Sequence, residues 1–252
     1  MVCFFTDLDN TLIYSHRRDI GNEKLPVEYI EGRQQSYMTN YSYSFLKAAE
    51  WIDIVPITTR TYAQFKRLTF MKDLHINNAI VCNGGMLVEN GEEDEGWSLE
   101  TLCMTGASTD ALNAISDMLT NNNPDVVIHR PILYMVYFKS NNPDEESKKL
   151  KKMVNTEFIS VEHDQRKVYL FASGVDKGMA AVRYKKMMSV EIDVAAGDDV
   201  MDVPMLNLAR YAFASSKIAP LVKNKNLFVI DGELISDRMC DELQRLHDAG
   251  KI

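Results

Sequence analysis

The chain has 252 residues, 46% hydrophobic and 25% charged, with a formal net charge of −8. That balance excludes disordered and fibrous classes and allows one large domain or two smaller ones. The acid excess argues against nucleic-acid binding, which needs clustered Lys and Arg, but leaves a small phosphate ester open, because a cation and a few donors can reverse the field inside one pocket. No run approaches the roughly 18 to 20 consecutive apolar residues of a membrane helix, and the opening Met1 to Thr6 meets Asp7 too early to form a signal-peptide core. A cytoplasmic protein with no membrane partner is expected. Cys3, Cys82, Cys103 and Cys240 show neither Cys-x-x-Cys pairing nor zinc spacing and are expected as reduced, buried packing residues. Met153, Met187 and Met188 fall on helical patterns, where core packing is expected.

In chain order, Val2 to Thr6, Ile52 to Ile57, Ala79 to Cys82 and Val190 to Ala195 read as short buried strands. Helical spacing marks Ser44 to Glu50, Tyr62 to Leu74, Lys177 to Met187, Val203 to Ala209 and a closing helix near Asp237 to Leu246. This alternation predicts an α/β fold: a Rossmann-like parallel sheet covered by helices, with its ligand site beyond the carboxyl ends of the strands. The middle of the chain breaks the rhythm. Strands are expected at Trp97 to Met104, Val126 to His129, Leu133 to Phe138, Phe158 to Glu162 and Lys167 to Leu170. Helices are expected near Thr109 to Leu119, introduced by Ser108-Thr109-Asp110, and near Asp144 to Val154. The reading is a core of residues 1–86 and 172–252, interrupted by an inserted α+β domain over 87–171.

Three strand ends carry the polar residues that matter. Asp7 and Asp9 stand two apart after the first strand, so strand periodicity points both to one side. Two such carboxylates repel unless a cation joins them or one holds a proton; a turn is the alternative reading, since Asp-Asn also closes loops. Gly197-Asp198-Asp199-Val200-Met201-Asp202 places three more carboxylates after a second strand. Helix capping could account for Asp202, but less readily for Asp198 and Asp199. Converging acidic strand ends suit a hard, oxygen-seeking cation such as Mg²⁺. Thr58-Thr59-Arg60 and Lys177 offer hydroxyl, guanidinium and ammonium donors for a phosphoryl group, although Thr58 to Thr61 could equally cap the following helix.

Four ordered blocks, Asp7-Leu8-Asp9-Asn10-Thr11-Leu12, Ile57-Thr58-Thr59-Arg60, Asp176-Lys177-Gly178 and Gly197 to Asp202, together resemble the haloacid dehalogenase superfamily of phosphohydrolases. Asn83-Gly84-Gly85 resembles the Asn-Gly turn of its type IIB subgroup, which holds the Cof-like sugar phosphatases, sucrose-phosphate phosphatase and phosphomannomutase; the insert is similar in size to that subgroup's C2-type cap. The resemblance implies that Asp7 is the nucleophile and forms an aspartyl phosphate, with Asp9 as acid and base. It implies Mg²⁺ held by Asp7, the Asp9 backbone carbonyl and Asp198, with Asp202 completing the acidic shell directly or by orienting Lys177. Thr58 and Lys177 would bind the phosphoryl oxygens, with Thr59, Arg60, Asn83 and Gly84 also at the substrate, and the cap would select the leaving group. Asp199 and Met201 depart from the Gly and Asn usual in the last block, and Thr59 from the usual Gly of the second.

The expected function is therefore Mg²⁺-dependent hydrolysis of a small phosphorylated metabolite, a sugar phosphate being the favoured class. A phosphomutase or phosphotransferase acting on hexose phosphates is the alternative, and a catalytically silent sugar-phosphate binder a third reading.

Overall fold

A computed structural model describes residues 1–122 and 125–252. Two compact units emerge, one of residues 1–93 and 177–252, the other of residues 94–176.

The larger unit is built on a five-stranded sheet ordered Leu227–Ile230, Tyr211–Ser215, Val194–Gly197, Val2–Thr6 and Ile52–Pro56, with every neighbouring pair parallel. Val2–Thr6 is buried at each position, so both faces of the sheet are covered, as its unbroken apolar run requires. Its register sets Thr6 opposite Pro56 on one side and Ala196 on the other. Asp7, Thr58 and Asp198 consequently leave adjacent strands at the same edge of the sheet.

The expected fourth strand of this sheet is placed differently. Asn78–Val81 pairs antiparallel with Met86–Glu89 in a separate three-stranded sheet, and meets the large sheet through a parallel bridge between Ile57 and Ile80. The strand expected from Val190 begins only at Val194. Two parallel strands, Tyr211–Ser215 and Leu227–Ile230, occupy the far side, where the sequence pattern gave no strand.

Between Tyr14 and Thr39 lies a further element absent from the sequence reading: Lys24–Ile30 and Arg33–Thr39 form a hairpin, with Tyr14–Ser15 on its other edge. Its turn, Glu31-Gly32, has positive φ at both residues, 50° and 74°, which matches the right-handed twist of the flanking strands. The hairpin also explains why the helix expected over Tyr62 to Leu74 stops at Phe65: the Thr69 amide donates to the Val27 carbonyl at 3.0 Å, and Leu68 bridges Glu28. That short helix is capped by Thr61 and Gln64 in a reciprocal capping box.

In the second unit a four-stranded antiparallel sheet runs Ile159–His163, Lys167–Ala172, Met135–Lys139, Ile128–Ile132, with helices Glu95–Asn122 and Pro143–Met153. Trp97 to Met104, expected as a strand, is the start of the long helix. Its buried stripe continues through Thr101, Thr105 and Ser108, so polar residues hide the helical period. The two threonine hydroxyls survive burial by bonding back one turn, Thr101 to the Trp97 carbonyl at 2.9 Å and Thr105 to that of Thr101 at 2.8 Å. The helix is introduced by Asp94, whose side chain accepts the Trp97 amide at 2.6 Å, and Ser108-Thr109-Asp110 lies inside it rather than capping it. Cys103 is exposed on this helix, unlike Cys3, Cys82 and Cys240. Met153, Met187 and Met188 are exposed as well, so helical spacing alone misplaced them in the core.

Helix Ile235–Asp248 is tied to the core through Tyr14. The buried Tyr14 hydroxyl donates to the Thr11 carbonyl at 3.1 Å and accepts the Ser236 amide at 3.1 Å. Tyr14→Phe strands both groups, and is expected to cost about 1–3 kcal/mol. Urea unfolding should show a lower midpoint with an unchanged slope; an unchanged midpoint would contradict this account.

Candidate active site

The sheet edge brings one buried ammonium into a group of carboxylates. Lys177, the first residue of helix Lys177–Met188, is 2% exposed. Its Nζ donates to Asp7 Oδ1 at 2.6 Å and to Asp202 Oδ1 at 2.5 Å. An isolated ammonium would be expelled from such a place; burial favours its neutral form, but Asp202 and Asp7 outweigh that and hold it firmly charged.

Asp202 is fully buried and both its oxygens are engaged. Oδ1 takes Lys177, while Oδ2 accepts the backbone amides of Asp198 and Asp199, each at 2.9 Å. The turn it closes starts at Asp199, whose side chain accepts the Met201 amide and approaches Lys217. Asp199 is thus a cap, the structural role that the sequence reading assigned less readily to it. The turn sits hard against the preceding strand: a Cβ on Gly197 would come within 2.4 Å of Asp202 Cβ. Only glycine permits that approach.

One carboxylate oxygen each of Asp7, Asp198 and Asp202 lies within 4.8 Å of the others, all oxygen donors of the type that hard divalent cations take. The charge at this cluster is unbalanced. Burial, then repulsion by Asp202, Asp198 and Asp9, raises the Asp7 carboxyl well above the usual range despite Lys177. Asp198 is pushed up to about 7 by burial and by Asp202 and Asp199. Surplus negative charge that can be relieved by a proton or a cation fits a metal site, and the residues present fit Mg²⁺.

The other expected residues fall into two sets. Thr58 is fully buried, its Oγ accepts the Arg60 amide at 3.2 Å, and its carbonyl accepts the Asn83 amide at 2.8 Å. Asn83 and Gly84 lie in a tight turn, with Cys82 and Asn83 both left-handed at φ 53° and 60°. This turn binds the Thr58 loop through the Asn83 and Cys82 amides, and among the described residues no side-chain bond joins Thr59 to the cluster. Arg60 is turned to Asp9, its Nε donating to Oδ2 at 2.7 Å and Nη2 to Oδ1 at 2.8 Å. Behind Arg60 stands Glu28, which the sequence reading did not single out; the Glu31-Gly32 turn signal could have placed it in a hairpin.

A parallel sheet with a lysine-bridged acidic cluster at the carboxyl ends of its strands defines an α/β core of the Rossmann-like class. The family comparison agrees: residues 110–233 match the haloacid dehalogenase-like hydrolase family. That match takes in Lys177 and the Asp198 to Asp202 block. No curated protein sequence matches the chain. Solved structures do, among them the sucrose-phosphatase of Synechocystis sp. PCC6803 at 12% identity, TM-score 0.67, covering 98% of both chains. A haloacid dehalogenase subclass IIB sugar phosphatase matches at 14% identity and TM-score 0.65 over 100% of both chains. A haloacid dehalogenase-like hydrolase from B. subtilis matches at 15% identity and TM-score 0.59, covering 98% of this chain and 100% of its own. At such identities the likeness is one of fold. The expectation of a phosphatase stands on the family match, with sugar phosphatases among the structural neighbours.

Because a cation must displace any proton on Asp198, Mg²⁺ affinity should fall as pH drops below about 7 and level off above it. Calorimetric titration with Mg²⁺ between pH 5.5 and 8.5 checks this; a flat affinity across that range would remove Asp198 from the metal site.

Proposed function

We propose that the chain is a Mg²⁺-dependent phosphatase that hydrolyses a small phosphomonoester through an aspartyl phosphate on Asp7, with a sugar phosphate as the favoured substrate class. The observation that carries this reading is the buried Lys177 bridging Asp7 and Asp202 beside Asp198. Lys177 alone leaves the Asp7 carboxyl raised, so a cation at the cluster would be what keeps Asp7 ionised, and an ionised carboxylate needs no base to attack.

Asp7 forms an O–P bond as the bond from phosphorus to the alcohol oxygen breaks, and the departing electron pair takes a proton from Asp9. Asp9 then removes a proton from water, whose oxygen attacks phosphorus and frees Asp7. Lys177 and Thr58 face the phosphoryl oxygens, and their value lies in being fixed before charge develops there. Asp7, Asp198 and the Asp9 carbonyl would hold Mg²⁺, which supplies charge neutralisation at the transferring group when bound. Since both Asp202 oxygens are engaged, we assign Asp202 to holding Lys177 and the metal-side turn rather than to the ion itself.

Selection of the leaving group is assigned to the inserted α+β domain, because the core residues recognise only a phosphoryl group. The sugar-phosphate class is favoured by the neighbours described as sucrose-phosphatase and sugar phosphatase. Net charge and the absence, among the described residues, of a helix fit to cross a membrane favour a small metabolite partner in the cytoplasm.

A malachite-green screen of sugar, polyol and nucleotide phosphates with Mg²⁺ should find phosphate release by the native protein and a loss of at least about a hundredfold in Asp7→Asn, in line with loss of a nucleophile. Undiminished release by Asp7→Asn would show that another group attacks phosphorus.

A further inference from the structure

Asp9 has the most exposed side chain of the acidic groups at this edge, 50% accessible, yet acid–base work requires a fixed geometry. What fixes it is Arg60, which presents one edge of its guanidinium to both Asp9 oxygens. What fixes Arg60 is Glu28. Its Oε2 accepts Arg60 Nη2 at 3.0 Å, and its Oε1 lies 3.0 Å from Nη1 as a charge contact without an aligned hydrogen bond.

Glu28 itself is held from two further sides, by the Ser36 hydroxyl at 2.6 Å and Arg67 Nη2 at 3.0 Å. Burial alone would raise its carboxyl, but Arg60, Ser36 and Arg67 hold it below the usual carboxylate range. A carboxylate 1% exposed is costly to bury and survives only with this many partners.

The backbone is shaped to put it there. Pairing runs from Pro26 opposite Tyr37 to Glu28 opposite Ser36 and then Tyr29 opposite Gln34, so the register slips on each side of Glu28. Val27 is left without a partner in the ladder, so Val27 and Glu28 together stand against Ser36 as a bulge, and both are buried.

The geometry points to Glu28 as a positioning residue for proton transfer: seated by the hairpin bulge and held by Arg67 and Ser36, it fixes Arg60 so that Arg60 fixes Asp9 against the leaving-group oxygen. This rests on the phosphatase reading above. In the transfer step the P–O bond of the ester breaks and its electron pair receives the Asp9 proton. An ester whose leaving group departs stably as an anion needs no such proton.

The test compares kcat/KM for phenyl phosphate, whose phenol has a pKa of about 10 like tyrosine, with that for 2,4-dinitrophenyl phosphate, whose leaving group is stable unprotonated. General acid catalysis is worth about 10²–10⁴-fold. Glu28→Gln is expected to lower kcat/KM for phenyl phosphate at least tenfold and that for dinitrophenyl phosphate less than threefold. Arg67→Gln, with a partly exposed side chain, should show the same selectivity to a smaller degree, and carries the test if circular dichroism shows Glu28→Gln unfolded. Equal losses on both esters, or none on either, overturn the assignment. A native protein that turns over neither ester overturns the phosphatase reading and this one with it.

Discussion

One buried ammonium organises this protein's chemistry. Lys177 sits where two adjacent strand ends of a parallel sheet deliver carboxylates, and without it the burial of Asp7 and Asp202 would be untenable. Each neighbour is then constrained by the next: Asp202 spends its other oxygen on two amides of the Asp198 turn, and that turn presses so closely on Gly197 that no side chain fits there. A single cation does not balance this charge, and the raised carboxyls of Asp7 and Asp198 are the electrostatic mark of the deficit.

The electrostatics divide the edge into two halves. Around Lys177 the carboxylates outnumber the cation, so the site is poised to take up positive charge. Around Arg60 the balance is even, two arginines facing Asp9 and Glu28, so that half serves to hold geometry. Asp7 and Asp9, the nucleophile and the acid–base group of the proposed mechanism, thus sit in separate charge networks, joined through the short Asp7-Leu8-Asp9 segment.

Much of the nucleophile half was legible in the sequence, because its residues follow apolar strands whose ends mark ligand sites. Asp7, Lys177, Asp198 and Asp202 converge as their positions after Val2–Thr6, Ser173-Gly174 and Val194–Gly197 suggest. The Arg60 half was not. Arg60 was assigned to substrate, whereas its guanidinium is committed to Asp9 and Glu28, and the hairpin that carries Glu28 reads as polar loop because Arg33 to Ser36 interrupt any apolar alternation. The long helix of the second unit escaped for a related reason: Thr101, Thr105 and Ser108 are buried in it, the two threonines bonded back to their own helix, so a hydrophobicity pattern misreads an inward face as outward.

The central strand has a further consequence for how the protein is made. Val2–Thr6 is made well before one of its two flanking strands, which begins only at Val194, and Cys3 is bonded to Asp193, 190 residues away. Closing so long a loop is slow and entropically costly, so strands paired at that distance come together late. Asp7 therefore waits roughly ten to forty seconds, at 5–20 residues per second, before Lys177 and Asp198 are made. The second unit, continuous in sequence, needs no such wait. An unfinished chain can thus hold a folded middle while the carboxylate cluster is still open, and the cluster closes only when the turn from Asp198 to Asp202 is in place.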